Sequence, residues 1–171
     1  SYISPNIFHH LLNYDHETMN LVPVLAKARP QLVQNGDMAE LTFELREEAV
    51  WDNGQPVTTD DVLFTVKTIF CPKANTDNVK PGVDFIKDIK TYPDNNRKIT
   101  FVCSKHIGME DGTGGIPIIP EYIYDSKKVL RKYTIAELIS GNSKANSDPE
   151  INEFADFFNS EKSNRDTTIV M

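Results

Sequence analysis

Apolar and polar residues alternate strictly in one stretch of the chain, from Leu41 to Arg46, and this stretch predicts a β-strand. Three apolar side chains share one face and three polar side chains share the other, which is the period-two pattern of a half-buried strand. A shorter strand over residues 31–34 and a turn signal at Asn35-Gly36 precede it. We therefore expect an antiparallel hairpin with a loose loop.

A second hairpin is predicted further along the chain. Residues 85–92 have the composition of a strand, residues 93–96 are a cluster of turn formers, and residues 98–103 alternate again. The apolar residues 168–171 favour one more strand at the end of the chain.

The clearest helix signal begins at Thr58. This residue can cap a helix, and Asp61 stands three positions later as its capping-box partner. Val57 before the cap and Val62 after it have the spacing of a hydrophobic staple. The apolar stripe then continues through Val62, Val66 and Ile69. The pattern predicts a helix over residues 58–70, which the next proline stops.

The apolar spacing near the start of the chain predicts a short helix over residues 1–12. Its apolar positions are Ile3, Ile7, Leu11 and Leu12, and Ser4-Pro5 supplies a cap and a first-turn proline. Residues 13–15 are then expected to form a turn.

Two more helices are predicted near the other end. Thr134 and Glu137 form a second capping box before a helix that ends near Gly141. Asp148-Pro149 opens a third helix. Its apolar positions share one face: Ile151, Phe154, Ala155 and Phe158.

The segments between these elements are expected to be loops. Residues 73–83 and 141–147 are polar, and residues 104–116 contain four glycines. The glycines match neither the phosphate-binding loop nor the dinucleotide fingerprint, so a mobile loop is the simpler interpretation. Hairpins and separate helices together indicate an α+β fold, antiparallel hairpins packed with helices, rather than a parallel sheet.

Composition narrows the function classes further. The chain has 171 residues, 39% of them apolar, and a formal net charge of −7. A nucleic-acid partner is not expected, because it would require a basic face. The sequence contains neither an apolar run long enough to span a membrane nor a signal peptide. Its abrupt ends, the second of them apolar, predict one domain, residues 1–171, that is excised from a longer protein.

No residue pattern predicts catalysis, a metal or a cofactor. The neighbouring residues His9 and His10 point to different sides of a helix, and the four histidines form no pair at ligand spacing. Cys71 and Cys103 match no zinc or thiol-enzyme motif and are expected as two buried thiols, with a disulfide as the open alternative. We therefore assign no catalytic or metal-binding residue, and the ligand-binding residues stay unknown.

The carboxylates have structural explanations. The first-turn residues Asp60 and Asp61 complement the helix dipole, and Glu47 and Glu48 are expected in solvent. A pair acting in hydrolysis is not singled out by spacing. Trp51, in a predicted turn with Asp52-Asn53-Gly54, is expected as a buried anchor, although the turn could instead border a ligand cleft.

Three motifs follow one another in the chain: Leu41-Thr-Phe-Glu-Leu-Arg46, Trp51-Asp-Asn-Gly54 and Pro56-Val-Thr-Thr-Asp-Asp-Val62. Together they resemble the signature block of family 5 extracellular solute-binding proteins, which include dipeptide-, oligopeptide- and nickel-binding proteins of ABC importers. Asn53 and Thr59 differ from the family pattern and preserve the turn and the cap. The resemblance continues through Val22-Pro23, Leu25-Ala26 and Ile118-Ile119-Pro120-Glu121 and covers about residues 7–125. The segment after Tyr133 looks lineage-specific, and its role stays open.

The resemblance implies that the chain belongs to the extra subdomain of the N-terminal lobe of a two-lobe binding protein. In this interpretation the full-length protein binds a peptide or similar solute and delivers it to an ABC permease. It would lie in the periplasm or at the cell surface, held to the membrane peripherally by a lipid anchor. This part would be mainly scaffold, monomeric by itself and not an enzyme. An interaction module that contacts a permease or another surface partner, and a hydrolase, stay open as alternatives.

Overall fold

The computed structural model describes residues 9–141, 143–161 and 169–170 and has short strands and separate helices. The strands are β1 (Leu12–Asp15), β2 (Asn20–Pro23), β3 (Gln31–Asn35), β4 (Met38–Glu44), β5 (Val50–Trp51), β6 (Ile86–Tyr92), β7 (Asn95–Ser104) and β8 (Ile169–Val170). The helices are α1 (Thr59–Ile69), α2 (Met109–Gly114), α3 (Glu121–Tyr124), α4 (Ile135–Ile139), α5 (Ser143–Ser147) and α6 (Pro149–Glu161), with 3₁₀ turns at Lys80–Gly82 and Val129–Lys132. The expected α+β class is confirmed.

Both predicted hairpins lie in one antiparallel sheet with the strand order β3-β4-β7-β6. Strand β4 is central and pairs with β7 in a register that places Leu41 opposite Phe101 and Phe43 opposite Ile99. The loop between β3 and β4 consists only of Gly36 and Asp37, and Gly36 has a φ of 61°. A two-residue turn of this kind needs a positive φ, which glycine adopts without strain. The expectation of a loose loop is therefore wrong.

Helix α1 packs against the apolar face of this sheet. The three alternating residues of β4 and its extension, Leu41, Phe43 and Leu45, are buried, and so is the helix stripe of Val62, Val66 and Ile69. All six belong to one core cluster. Each large apolar side chain that leaves water contributes about 1.5–3 kcal/mol. The predicted pairing of the strand with the capped helix is confirmed.

A second apolar cluster lies on the other side of α1. Phe64 of α1 contacts Phe154 of α6 edge to face at a centroid distance of 6.0 Å, and Phe154 stacks on Phe158. The predicted stripe of α6 is buried at Ile151, Phe154, Ala155 and Phe158. Helix α1 therefore has apolar contacts on two sides and holds the sheet and the C-terminal helices together.

The prediction of a helix over residues 1–12 is wrong for the residues that the structure describes. Residues 1–8 lie outside the described part of the chain, but His10 forms a β-bridge with Pro117, and Leu12 begins strand β1. The expected turn at 13–15 is part of this strand, which pairs with β2. Over residues 10–15, pairing with β2 and with Pro117 overrides the helical spacing of the apolar residues.

Two predicted loops contain helices. Helix α2 forms within 104–116, where a carbon on Gly112 would lie 2.6 Å from the Phe85 ring and one on Gly114 would lie 2.7 Å from Leu12. The glycines therefore permit close packing rather than mobility. Helix α5 forms within 141–147, apart from residue 142, which is not described, and it buries Ala145.

Candidate functional site

The signature block folds into a buried corner whose centre is the carboxylate of Asp61. The predicted capping box is present: Asp61 Oδ2 accepts a hydrogen bond from the Thr58 backbone N–H at 3.1 Å, and the Thr58 side chain caps the helix in return. The same oxygen accepts the indole N–H of Trp51 at 3.1 Å. Oδ1 accepts the backbone N–H of Glu121 at 3.0 Å. One side chain thus joins β5, α1 and α3.

Burial governs the electrostatics of this corner. Asp61 is 7% exposed, and loss of water raises its pKa, while the hydrogen bonds from Glu121, Thr58 and Trp51 act in the opposite direction. Trp51 is 1% exposed and is the anchor expected from the sequence. Its indole N–H has an acceptor, as a buried tryptophan requires.

An ion pair between Arg131 and Glu121 forms the rim of the corner. Arg131 donates Nε to Glu121 Oε2 at 3.0 Å and Nη2 to Glu121 Oε1 at 2.6 Å, which is the bidentate geometry of strong ion pairs. Nη2 also lies 3.4 Å from Asp60 Oδ2. The hydrogen bonds to Glu121 raise the pKa of Arg131. Glu121 entered the sequence analysis only as the last residue of a motif that resembles the family, and Arg131 was not singled out, because no local motif joins residues ten positions apart.

Between the corner and this rim lies a polar cleft of about 350 Å³. Trp51, Asp61, Glu121 and Tyr122 line it, and Asp125 lies on its wall. The Tyr122 hydroxyl donates to Asp52 Oδ1 at 3.2 Å. Burial, together with the Asp52 charge, raises the pKa of Tyr122 to about 12. Tyr122 therefore stays protonated and serves as a hydrogen-bond donor at neutral pH.

Asp125 is the third buried carboxylate beside the cleft. Its two oxygens accept the backbone N–H groups of Val129 at 2.8 Å and Leu130 at 3.0 Å and so begin the 3₁₀ turn. Burial raises its pKa. Asp61 and Asp125 thus share a raised pKa, which is a property of general acids, but each uses both oxygens to bind backbone N–H groups. Their arrangement is that of structural caps.

A second cavity, of about 360 Å³, lies beneath α1 and is mainly apolar. Ile69, Val79, Ile116 and Phe158 line it, together with the hydroxyl-bearing residues Thr65 and Thr76. Both hydroxyls donate to backbone carbonyls: Thr65 to Asp61 at 2.7 Å and Thr76 to Ile69 at 2.7 Å. These two hydroxyls of the cavity therefore serve the fold.

The remaining candidate residues are dispersed. His16 contacts Tyr14, His106 stacks on Phe85, and His10 is half-buried with a pKa lowered by burial. Within residues 9–141 and the described residues beyond them, no three His, Cys, Asp or Glu side chains are grouped as metal ligands. Glu47 and Glu48 are exposed, as expected, and pair with Lys27 and Arg46.

The thiols are separate and buried. Cys71 and Cys103 are free, so the alternative of a disulfide is wrong. Burial raises the pKa of each thiol to about 12, which keeps both in the unreactive protonated form. Among the helices of the described residues, none is long and apolar enough to cross a membrane.

Comparison with known proteins places these features in a family. The model described as "Bacterial extracellular solute-binding proteins, family 5 Middle" matches residues 20–156. Protein XP55 of Streptomyces lividans is 28% identical over 117 residues, which are 68% of this chain and 20% of that protein.

Solved structures agree with this result. NikZ from Campylobacter jejuni, in complex with Ni(L-His), matches with a TM-score of 0.57 and 25% identity over 69% of this chain and 23% of NikZ. The oligopeptide-binding protein from Thermus thermophilus, in complex with a pentapeptide, matches with a TM-score of 0.61 and 19% identity over 92% of this chain and 26% of that one. The chain spans about a quarter of the length of these two structures. It belongs to the bacterial extracellular solute-binding proteins of family 5.

Proposed function

We propose that this chain is part of an extracellular receptor that binds peptides or similar solutes and delivers them to an ABC importer. Membership of family 5 supports the role. The Thermus thermophilus relative is described in complex with a pentapeptide, which favours a peptide as the solute. In the longer protein, solute binding would close two lobes about a hinge and shift an open–closed equilibrium, without any bond being made or broken.

Within that receptor, the present residues act as scaffold of the N-terminal lobe, a single domain of the longer protein. The observation that carries this proposal is the hydrogen bonding of the corner, in which each carboxylate oxygen of Asp61, Glu121 and Asp125 has a partner within the chain. Asp61, Asp125 and Glu121 all use their carboxylates to hold backbone N–H groups or Arg131. Groups that grip a solute need hydrogen-bonding capacity directed into a cleft, whereas these groups are directed at the chain itself.

The same observation favours a binding protein over a hydrolase. A catalytic carboxylic acid must place an oxygen within hydrogen-bond reach of its substrate. Asp61 and Asp125 have the raised pKa of such acids, but their oxygens are engaged by the backbone. We further propose a periplasmic or cell-surface location for the full-length protein, with a lipid anchor holding it beside the permease.

Calorimetric titration of the 171-residue chain and of the full-length protein, side by side, tests both parts of the proposal. The probes are a pentapeptide of mixed sequence and the nickel–histidine complex, and each mixture is analysed by mass spectrometry after incubation. We expect the full-length protein to bind the peptide, the shorter chain to give no heat of binding, and the peptide to stay intact. Binding by the shorter chain alone would overturn the scaffold role, and cleavage of the peptide would favour the hydrolase.

A further inference from the structure

Helix α1 carries a buried lysine, although lysine side chains are almost always exposed. Lys67 is 7% exposed and lies in the last turn of the helix. Its Nζ donates one hydrogen bond, to the backbone carbonyl of Leu130 at 3.2 Å. Among the described residues, no ion pair includes Lys67. The protein therefore supplies a partner for only one of the three N–H donors of an ammonium group.

The same side chain lines a cavity of about 240 Å³ between α1 and the 3₁₀ turn Val129–Lys132. Three of the other lining residues are apolar and three are charged: Leu63, Phe64, Leu130, Asp60, Glu121 and Arg131. The charged residues are paired with each other, since Arg131 binds both Glu121 and Asp60. The cavity therefore favours a small uncharged ligand over an ion.

Burial and a neighbouring cation both favour the neutral amine of Lys67. Loss of water is the largest influence and lowers the pKa of Lys67, and the Arg131 charge acts in the same direction. The carboxylates of Glu121, Glu137 and Asp125 act in the opposite direction but do not reverse the shift. A lysine that is desolvated and close to a second cation is an activated nucleophile, because its unprotonated amine has a free lone pair.

We propose that Lys67 is a covalent binding site for small uncharged aldehydes, which enter the cavity and form an imine with its amine. The lone pair of Nζ forms the new C–N bond, and the electron pair of the carbonyl π bond moves to the oxygen. Both amine hydrogens then leave with this oxygen as one water molecule, so that C=N replaces C=O. The step requires no oxidant and no reductant. Before it, the Leu130 carbonyl holds Nζ beside the cavity.

Covalent capture by Lys67 goes beyond the proposed transport role, because a peptide solute has no aldehyde group. A purely structural role is the alternative: Lys67 joins the last turn of α1 to the 3₁₀ turn through Leu130, and its charge complements the helix dipole. Both roles involve burial. Only covalent capture requires the buried amine to react faster than exposed lysines.

Reductive labelling of the full-length protein measures this reactivity residue by residue. The protein is incubated with propanal and cyanoborohydride at neutral pH, and the hydride converts each imine to a stable secondary amine. Digestion and mass spectrometry then give the initial labelling rate of each lysine. Lys90 and Lys127 are the internal controls, since both are exposed and hydrogen bonds to the carboxylates of Glu40 and Glu153 raise their pKa values.

We expect Lys67 to be labelled at least about ten times faster than Lys90 or Lys127, because each unit of pKa difference changes the fraction of neutral amine about tenfold. Unfolding in guanidinium chloride should abolish this difference, since it depends on the folded surroundings. Labelling of native Lys67 at or below the rate of the exposed lysines would overturn the proposal and leave Lys67 as a link between α1 and the 3₁₀ turn.

A substitution in the cavity lining provides a second readout. Arg131→Gln should slow the labelling of Lys67, because it removes the neighbouring cation and leaves the Glu121 carboxylate unpaired. The matched control is Lys132→Gln, which removes an adjacent cation that does not line the cavity and should leave the rate unchanged. Unchanged labelling in both variants would contradict the role of the cavity charges. Circular dichroism checks that the variants fold, and the comparison between lysines of the natural protein needs no substitution.

Discussion

Replacement of Asp61 by alanine tests the interpretation of the corner as a structural hub. The carboxylate accepts hydrogen bonds from Trp51, Thr58 and Glu121 at 3.0–3.1 Å, and the side chain is 7% exposed. Alanine removes all three acceptor interactions at once. It leaves the indole N–H of Trp51 and two backbone N–H groups inside the protein without their acceptor.

The expected cost follows from these contacts. A hydrogen bond to a charged group contributes about 1.5–3 kcal/mol, and a buried donor left unsatisfied costs about 1–3 kcal/mol. The three contributions are not additive, because the donors share one acceptor. The raised pKa shows that the buried charge itself is costly, so its removal offsets part of the loss. We expect Asp61→Ala to lower the free energy of unfolding by about 3 kcal/mol.

Urea denaturation followed by far-ultraviolet circular dichroism measures this change. With a slope of about 2 kcal/mol per molar urea, the midpoint should fall by about 1.5 M. The control is Asp60→Ala, since Asp60 is the preceding residue, carries the same charge and pairs its exposed carboxylate with Arg131. That substitution should cost less than about 1 kcal/mol. If the two alanine variants lost the same free energy of unfolding, Asp61 would not be a structural hub.

Three further predictions follow from burial and close packing. The pKa of Asp61 is raised from 3.8, so the native state loses stability as the pH rises from 3.8 through the native pKa. Urea titrations from about pH 3.5 to about pH 7 measure the difference in free energy of unfolding between the natural chain and Asp61→Asn. This difference should narrow as the pH rises, and a widening difference would contradict the raised pKa. Gly114→Ala should lower the free energy of unfolding by about 1–3 kcal/mol, because the new carbon would lie 2.7 Å from the side chain of Leu12. The control is Gly82→Ala, whose new carbon meets no atom within 4 Å and which should cost less than about 0.5 kcal/mol. Cys71 and Cys103 should react with a thiol reagent only after unfolding, and rapid reaction of the native protein would contradict their burial.

Elements with short-range signals could be predicted from the sequence. The capping box of Thr58 and Asp61 consists of contacts within one helical turn, so its residue types suffice to locate the start of α1. The alternation in β4 likewise identified the buried face, because the period of two is a property of the strand itself. The predictions of strand β4 and helix α1 are confirmed for this reason.

Elements that depend on contacts outside their own segment could not be predicted. Strand β1 exists because its residues pair with β2, and the bridge from His10 reaches Pro117. Its apolar spacing alone resembled a helix. Helix α2 depends on glycines that pack against Phe85 and Leu12, which are distant in sequence. The glycines of that segment show only that side chains are missing there. They do not show which residues the backbone contacts.

At the candidate site, the role of Asp61 as a helix cap could be predicted from local sequence, but its second role could not. A first-turn aspartate complements the helix dipole in any solvent-exposed helix, and local sequence can indicate no more than that. Here the carboxylate also accepts hydrogen bonds from Trp51 and from the start of α3. This is possible because residues 118–121 fold back over α1, where the Thr65 hydroxyl accepts the Ile119 N–H at 3.1 Å. A buried anion is stable only where several donors converge on it, so segments that supply those donors are fixed together. The signature motif therefore stabilises the fold by connecting three segments through one charge, and the proposed scaffold role rests on this connection.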